Sequence, residues 1–341
     1  MKKILVIRYG TIGDTIFASA FYRELRKALP SVRIDILVDD VAEGVMRNCP
    51  YINKIFSIDG KWKNFWAYIS LFKKYDTIFF LKNDRFFTLL AFLAGVRNRV
   101  GFDIRRNCFL THKSPYNEDK HEIDCYLDLL KISGIRIEND KTELWLDRMS
   151  NAIVEDLLKD IKSKKILIQA YSRFPQKNWL DEYWVKVVKY LSNQCKAQVF
   201  YAGGSKDSYE AIDFGIYDSI EIEPINLCGK LSILETASLI KKMDLVIGID
   251  SGLIHMAAAL NIPSILLHGP TSLKRWQPRS ENCKVLSRKF SCSPCLLQKG
   301  AKKYCKHKIP ECMEFLTPDI VIKTINDKLL TKTADFYNHE Q

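Results

Sequence analysis

The sequence has no long apolar run, no glycine period and no low-complexity tract. The apolar stretch Ile4–Ile7 stops at Arg8, too early for a signal-peptide core. Phe86–Val96 is about half of the roughly 20 residues that a membrane-spanning helix needs. These absences point to a cytoplasmic protein that crosses no membrane. Glycine is sparse, 15 residues in 341, which excludes collagen-like and glycine-repeat architectures. Neither GxGxxG nor GK[ST] is found, so a dinucleotide fingerprint and a P-loop are both disfavoured. No carboxylate pair of the kind that holds nucleotide-bound Mg²⁺ stands out either.

What is present describes a globular chain, 47% hydrophobic and 27% charged, with length enough for two domains. Its 52 Lys+Arg against 40 Asp+Glu leave a net charge of +12. Such a surface attracts nucleic acid, phosphorylated sugars or an acidic membrane face without choosing among them. Of ten cysteines, Cys49, Cys108, Cys125, Cys195, Cys228 and Cys283 are scattered and read as small buried hydrophobes in a reducing cytosol. Cys292, Cys295, Cys305 and Cys312 are crowded as C-x2-C-x9-C-x6-C, a spacing that lets four thiolates converge on a tetrahedral ion. Structural zinc is the first choice and iron the second, with His307 able to replace one cysteine. Free thiols and a disulfide remain open alternatives.

Along the chain, short apolar runs alternate with segments of helical period. Strands are predicted at Lys3–Ile7, Val32–Val38, Ile55–Ile58, Thr77–Leu81 and Arg99–Phe102. Helices are predicted at Thr15–Leu29, Trp62–Lys73, Phe86–Ala94 and His121–Leu130. Ser133–Lys165 shows mixed polarity and no strand signal, which sets the expected domains at 1–160 and 161–341. Alternation then restarts with strands at Ile166–Gln169, Ala197–Tyr201, Leu245–Gly248 and Pro263–Leu267, and helices at Glu182–Ser192, Leu231–Lys241 and Leu253–Leu260. A last helix is expected from Pro318. Two similar α/β halves with parallel sheets follow.

Candidate chemistry sits where these strands end. Arg8-Tyr9-Gly10-Thr11-Ile12-Gly13-Asp14 passes from a strand into a helix, and its glycines let the backbone turn close to a ligand. Asp14 stands at the first helical turn, at the sheet edge where open α/β folds bind ligands, and is a candidate general base. The ordinary alternative is an aspartate that stabilises the helix dipole. In the second half, Asp250-Ser251-Gly252 enters an alanine-rich helix containing His255, a turn whose amides, hydroxyl and dipole favour a diphosphate. His268-Gly269-Pro270-Thr271 forms a second such turn. The segment Ser172–Trp179, with Arg173 and Lys177, places cations beyond another strand end, and Gly203-Gly204-Ser205 is a further glycine turn.

The set resembles the family 9 glycosyltransferases, the bacterial heptosyltransferase family. The resemblance is carried by Ile7–Asp14, His121-Glu122-Ile123-Asp124, Ser172–Trp179, Cys228-Gly229-Lys230-Leu231-Ser232, Asp250-Ser251-Gly252 with His255, and Gly269-Pro270-Thr271. It implies two facing Rossmann-like domains, the GT-B architecture, with the acceptor on the first domain and the nucleotide sugar on the second. It also implies inverting, metal-independent transfer, of heptose from ADP-heptose to lipopolysaccharide core in the best-known members. By the same resemblance Asp14 looks like the base, flanked by the acceptor loop Gly10, Thr11 and Gly13. Ser172, Lys177, Asp250, Ser251, Gly252 and His255 look like donor contacts, with Lys177 also assisting the leaving group and Asp207 standing for an acidic donor residue.

An anionic glycolipid or glycan acceptor and peripheral contact with the inner membrane would account for the positive charge. The basic stretches Arg97-Asn98-Arg99, Arg105-Arg106 and Lys302-Lys303 raise nucleic acid as a rival, but no nucleic-acid motif accompanies them. A sugar-nucleotide epimerase of the same architecture is the alternative within the enzymes.

Overall fold

The computed structural model describes residues 2–58, 65–104, 106–207, 209–216, 219–296, 305–307 and 309–337. Lys302-Lys303, Arg105 and the opening of the helix expected at Trp62 lie outside them. The chain forms two units, Met1–Trp145 and Leu146–Gln341.

The first unit runs β1 (Lys3–Ile7), α1 (Ile12–Ala28), β2 (Arg33–Val38), α2 (Asp40–Met46), β3 (Lys54–Ser57) and α3 (Phe65–Phe72). It continues with β4 (Thr77–Phe80), α4 (Arg85–Leu93), β5 (Asn98–Phe102), β6 (His112–Ser114) and α5 (Glu122–Lys131). The second unit opens with α6 (Arg148–Leu158), β7 (Lys165–Gln169), a 3-10 turn at Pro175–Lys177, α7 (Asp181–Asn193), β8 (Gln198–Tyr201) and α8 (Glu210–Ile216). Then come β9 (Ile225–Asn226), α9 (Ile233–Lys241), β10 (Leu245–Ile249), α10 (Gly252–Ala259) and β11 (Ser264–His268). α11 (Leu273–Trp276), β12 (Cys283–Ser287), α12 (Glu311–Glu314) and α13 (Pro318–Tyr337) complete it.

Each unit holds one six-stranded sheet, ordered β3-β2-β1-β4-β5-β6 and β12-β11-β10-β7-β8-β9, and every pairing is parallel. The two orders are the same doubly wound plan. In each, connections leave the first strand in both directions, and a crevice opens at the carboxyl ends where the order reverses. Those switch points lie between β1 and β4 and between β7 and β10. Helices cover both faces, which is why Ile4–Ile7 and Leu245–Ile249 are apolar throughout and wholly buried.

The elements absent from the sequence reading have short or narrow signals. β6 is only His112-Lys113-Ser114 and exists by pairing with β5. α6 buries a single row, Ser150, Val154 and Leu158, against α9, too thin a stripe to mark a helix inside Ser133–Lys165. Residues 138–143 are ordered without being a strand, because Arg23 donates to the carbonyls of Asn139 and Lys141 and to the Glu143 carboxylate. The expectation for the scattered cysteines holds only in part: Cys49 and Cys125 are buried, Cys195, Cys228 and Cys283 are half-buried, and Cys108 is exposed. Among the described residues no helix is long and apolar enough to cross a membrane.

Candidate functional site

In the first unit β1 delivers Arg8, buried, to the switch point. Its guanidinium donates Nε–H to the Tyr126 hydroxyl at 2.7 Å and pairs through Nη2 with Asp14 Oδ1 at 2.8 Å. Asp14 Oδ2 accepts from the Thr11 amide at 3.1 Å and the Thr11 hydroxyl at 2.9 Å, and Thr11 Oγ1 in turn caps the Asp14 amide. This reciprocal capping box starts α1. Burial opposes ionisation of Asp14, but Arg8 and then Thr11 outweigh it and hold the carboxyl below its usual range. Asp14 is therefore a helix-start aspartate and also an oriented, ionised carboxylate at a sheet edge.

Gly10 has φ +146°, and a Cβ there would stand 3.0 Å from both Arg8 Nη1 and Asp14 Oδ2. Only glycine lets the loop close over this pair. The Gly10 amide donates to Asp39 Oδ2 at 2.8 Å. Gly13 is buried within the first turn of α1.

Among the neighbours, Glu122 lies in the His121–Asp124 motif, whereas Lys82 and Asp84 had no sequence signal of their own. Glu122, buried at the start of α5, accepts from the Tyr116 hydroxyl at 2.9 Å. Burial pushes its carboxyl up to about 7, with Arg8 opposing and Asp14 adding to the rise. Lys82, beyond β4, sits 3.8 Å over the Tyr9 ring, while the Tyr9 hydroxyl donates to Asp84.

In the second unit the 3-10 turn after β7 buries Lys177. Its ammonium donates to Asp250 Oδ2 at 2.7 Å and to the Asp250 carbonyl at 3.1 Å. Asp250 leaves β10, and its carboxylate also accepts from Thr271 Oγ1 at 2.7 Å, with His255 Nε2 at 3.7 Å from Oδ1. Burial works against its charge, but His255 and Lys177 hold its carboxyl far below the usual range.

Thr271 also contacts His268 Nε2 at 2.9 Å. The Thr271 proton goes to an ionised carboxylate that can only accept, so His268 must donate Nε2–H to Thr271. Burial lowers His268 to about 4 and leaves it neutral, with its one proton on Nε2. Thr271 and His268 were legible only as parts of a strand-end turn.

Ser251 precedes α10 but does not cap it. Its hydroxyl donates to Gln169 Oε1 at 2.7 Å, so the first amides of α10, from Gly252 on, receive no capping bond from it. Ser172 closes its own loop, accepting from the Phe174 amide at 3.1 Å while Asn178 holds the Ser172 amide at 2.9 Å. Asp207 folds back on the glycine turn and accepts from the Gly204 amide at 2.8 Å. Gly229, φ +68°, packs against that turn, where a Cβ would lie 2.6 Å from the Ser205 backbone.

The cysteine segment braces the Thr271 turn. The Cys295 and Leu296 amides both donate to the Pro270 carbonyl, and Ser293 Oγ donates to the Gly269 carbonyl. Burial, then the neighbouring Cys295, Cys305 and Cys292, push the Cys312 thiol up to about 12. His307 Nδ1 is 3.1 Å from Glu311. Among the described residues no group of three or more His, Cys, Asp or Glu is arranged to hold a metal ion.

Comparison with known proteins matches this arrangement to one family. A model of glycosyltransferase family 9 (heptosyltransferase) matches residues 70–305. Lipooligosaccharide heptosyltransferase 2 of Haemophilus ducreyi is 24% identical, over 96% of this chain and 99% of that protein. A family 9 glycosyl transferase from Veillonella parvula superposes with a TM-score of 0.84 at 21% identity, covering 97% of this chain and 98% of that one. The ADP-heptose lipopolysaccharide heptosyltransferase II of E. coli gives 0.80 at 22%, covering 98% and 100%. With strand-end turns in place across both sheets and a family match spanning more than half its length, the chain belongs to glycosyltransferase family 9 and is a sugar-transferring enzyme.

Proposed function

We propose that the protein transfers heptose from ADP-heptose to a lipopolysaccharide-core or related glycan acceptor in one inverting displacement. The observation that carries this reading is the buried Lys177–Asp250–Thr271 cluster at the second switch point, beside the start of α10. Two of the three Lys177 protons are committed to Asp250, which fixes the ammonium and leaves one donor for an incoming anion. Ser172, Ser251, the Gly252 amide and His255 complete the donor site, with Asp207 towards the sugar.

In the reaction the acceptor oxygen attacks the anomeric carbon as the bond to the diphosphate breaks. Negative charge grows on the leaving phosphates, where Lys177 and the α10 amides meet it. The acceptor hydroxyl loses its proton to Asp14, with Gly10, Thr11 and Gly13 shaping the acceptor loop. Arg8 makes Asp14 a weak base, but a hydroxyl bonding to an electron-poor carbon becomes acidic, so a weak base suffices. A single displacement inverts the anomeric centre. The acceptor is read as an anionic glycolipid met at the cytoplasmic membrane face.

Steady-state transfer with purified enzyme, ADP-heptose and a core-oligosaccharide acceptor tests the reading. Asp14→Asn is expected to lower kcat by about 10²-fold or more while ADP binding persists. Conversion of the nucleotide sugar without any acceptor would instead identify an epimerase, and near-normal turnover in Asp14→Asn would remove it as the base.

A further inference from the structure

The positive charge of this chain is concentrated. Residues 54–113 contain 12 Lys+Arg against 4 Asp+Glu, a net +8 out of the chain's +12. The same stretch forms α3 and α4, which pack on each other over one face of the first sheet. Their inner sides supply Ile69, Phe72, Phe87, Leu90 and Ala91 to the core. Their outer sides carry large apolar groups that the core does not use: Trp66 is 77% exposed, Phe92 50% and Leu93 50%. Lys73, Lys74, Arg85 and Arg97 are exposed on or next to the same two helices, and the Arg99 guanidinium lies 5.5 Å from the Phe92 ring centroid.

We propose that the outer surface of the α3–α4 layer docks the protein on an anionic membrane. Exposed Trp, Phe and Leu among cations match the two demands of such a surface, apolar insertion at headgroup depth and attraction to acidic lipid. A second copy of the chain fits poorly, because two faces of the same high positive charge repel. Nucleic acid would use the cations and stack bases on the aromatic rings, but it leaves the exposed aliphatic Leu93 unused. Both helices start at the carboxyl edge of their sheet and run back to its amino edge, where Lys73, Lys74, Phe92, Leu93 and Arg97 stand, so the surface lies along the flank of the unit and not at the edge that carries Asp14. The docking is independent of the acceptor reading above.

Flotation of the whole protein with vesicles tests the proposal, comparing pure phosphatidylcholine with phosphatidylcholine containing about one-third phosphatidylglycerol. Binding is expected only to the anionic vesicles and is expected to weaken at high salt. Lys73→Glu with Lys74→Glu is expected to cut the partition ratio about tenfold or more. Trp66→Ser with Leu93→Ser is expected to reduce it several-fold at unchanged charge. A Tm equal to wild type certifies the fold of each variant. Equal binding to neutral vesicles, no binding to anionic ones, or variants that bind like wild type would each overturn the proposal. So would a chain that ignores vesicles but binds a DNA duplex. Failed docking with intact turnover of a soluble acceptor sinks this inference alone; intact docking without heptosyl transfer sinks only the functional reading.

Discussion

Asp250 is held from several sides, and each partner can be tested alone. Thr271→Val keeps the shape but removes the hydroxyl, leaving His268 Nε2–H and one Asp250 oxygen without their contact. A loss of about 1–3 kcal/mol in stability and weaker ADP binding are expected, both restored by Thr271→Ser. Urea unfolding and calorimetric titration check this, and an unchanged Thr271→Val would show that the relay is idle. Glu122 makes the converse case. Its carboxyl rises from about 4.5 to about 7 on folding, so its contribution is fully present below 4.5 and is lost as pH climbs through 7. Glu122→Gln should therefore match wild type in thermal stability near pH 4.5. It should exceed wild type at pH 8 by a margin on the order of 1–3 kcal/mol. A gap independent of pH would show that Glu122 is not the titrating group.

At the scale of elements, two turns that look alike in sequence behave differently. In the first, Thr11 and Asp14 satisfy one another and close the start of α1. In the second, Ser251 turns aside to Gln169 and gives α10 no side-chain cap. A glycine, a hydroxyl and an aspartate occur in both, and their order alone does not say which helix start is left open for an anion. The Gly269 turn shows how tightly these edges are packed. A Cβ at Gly269 would lie 2.4 Å from Met313 Sδ and 3.2 Å from Cys312 Sγ, both in buried residues. Gly269→Ala is expected to cost about 1–3 kcal/mol and to displace Thr271 from Asp250. A drop in Tm with weakened ADP binding would register both effects, and unaltered values would mean that α12 yields freely.

Across the whole molecule the charge distribution has a kinetic consequence. With a net +8 within residues 54–113, capture of an anionic acceptor should depend on ionic strength. Between low and roughly physiological salt, kcat/KM for a charged acceptor is expected to fall several-fold, while an uncharged acceptor fragment changes little. Equal salt dependence for the two would place the effect on the donor instead. The sequence by itself determined the two open α/β halves, because parallel strands covered on both faces read as apolar runs, each followed by a turn at its carboxyl end. It also located Asp14, Lys177 and Asp250 just past those ends. Tertiary structure decided which of them meet. Lys177 and Asp250 are 73 residues apart, and Arg8 and Tyr126 are 118 apart. They come together because β7 lies beside β10 and because α5 packs on α1 at the first sheet. Strand order and helix packing are set by crossovers and core burial over the whole domain, and no local window of residues contains them.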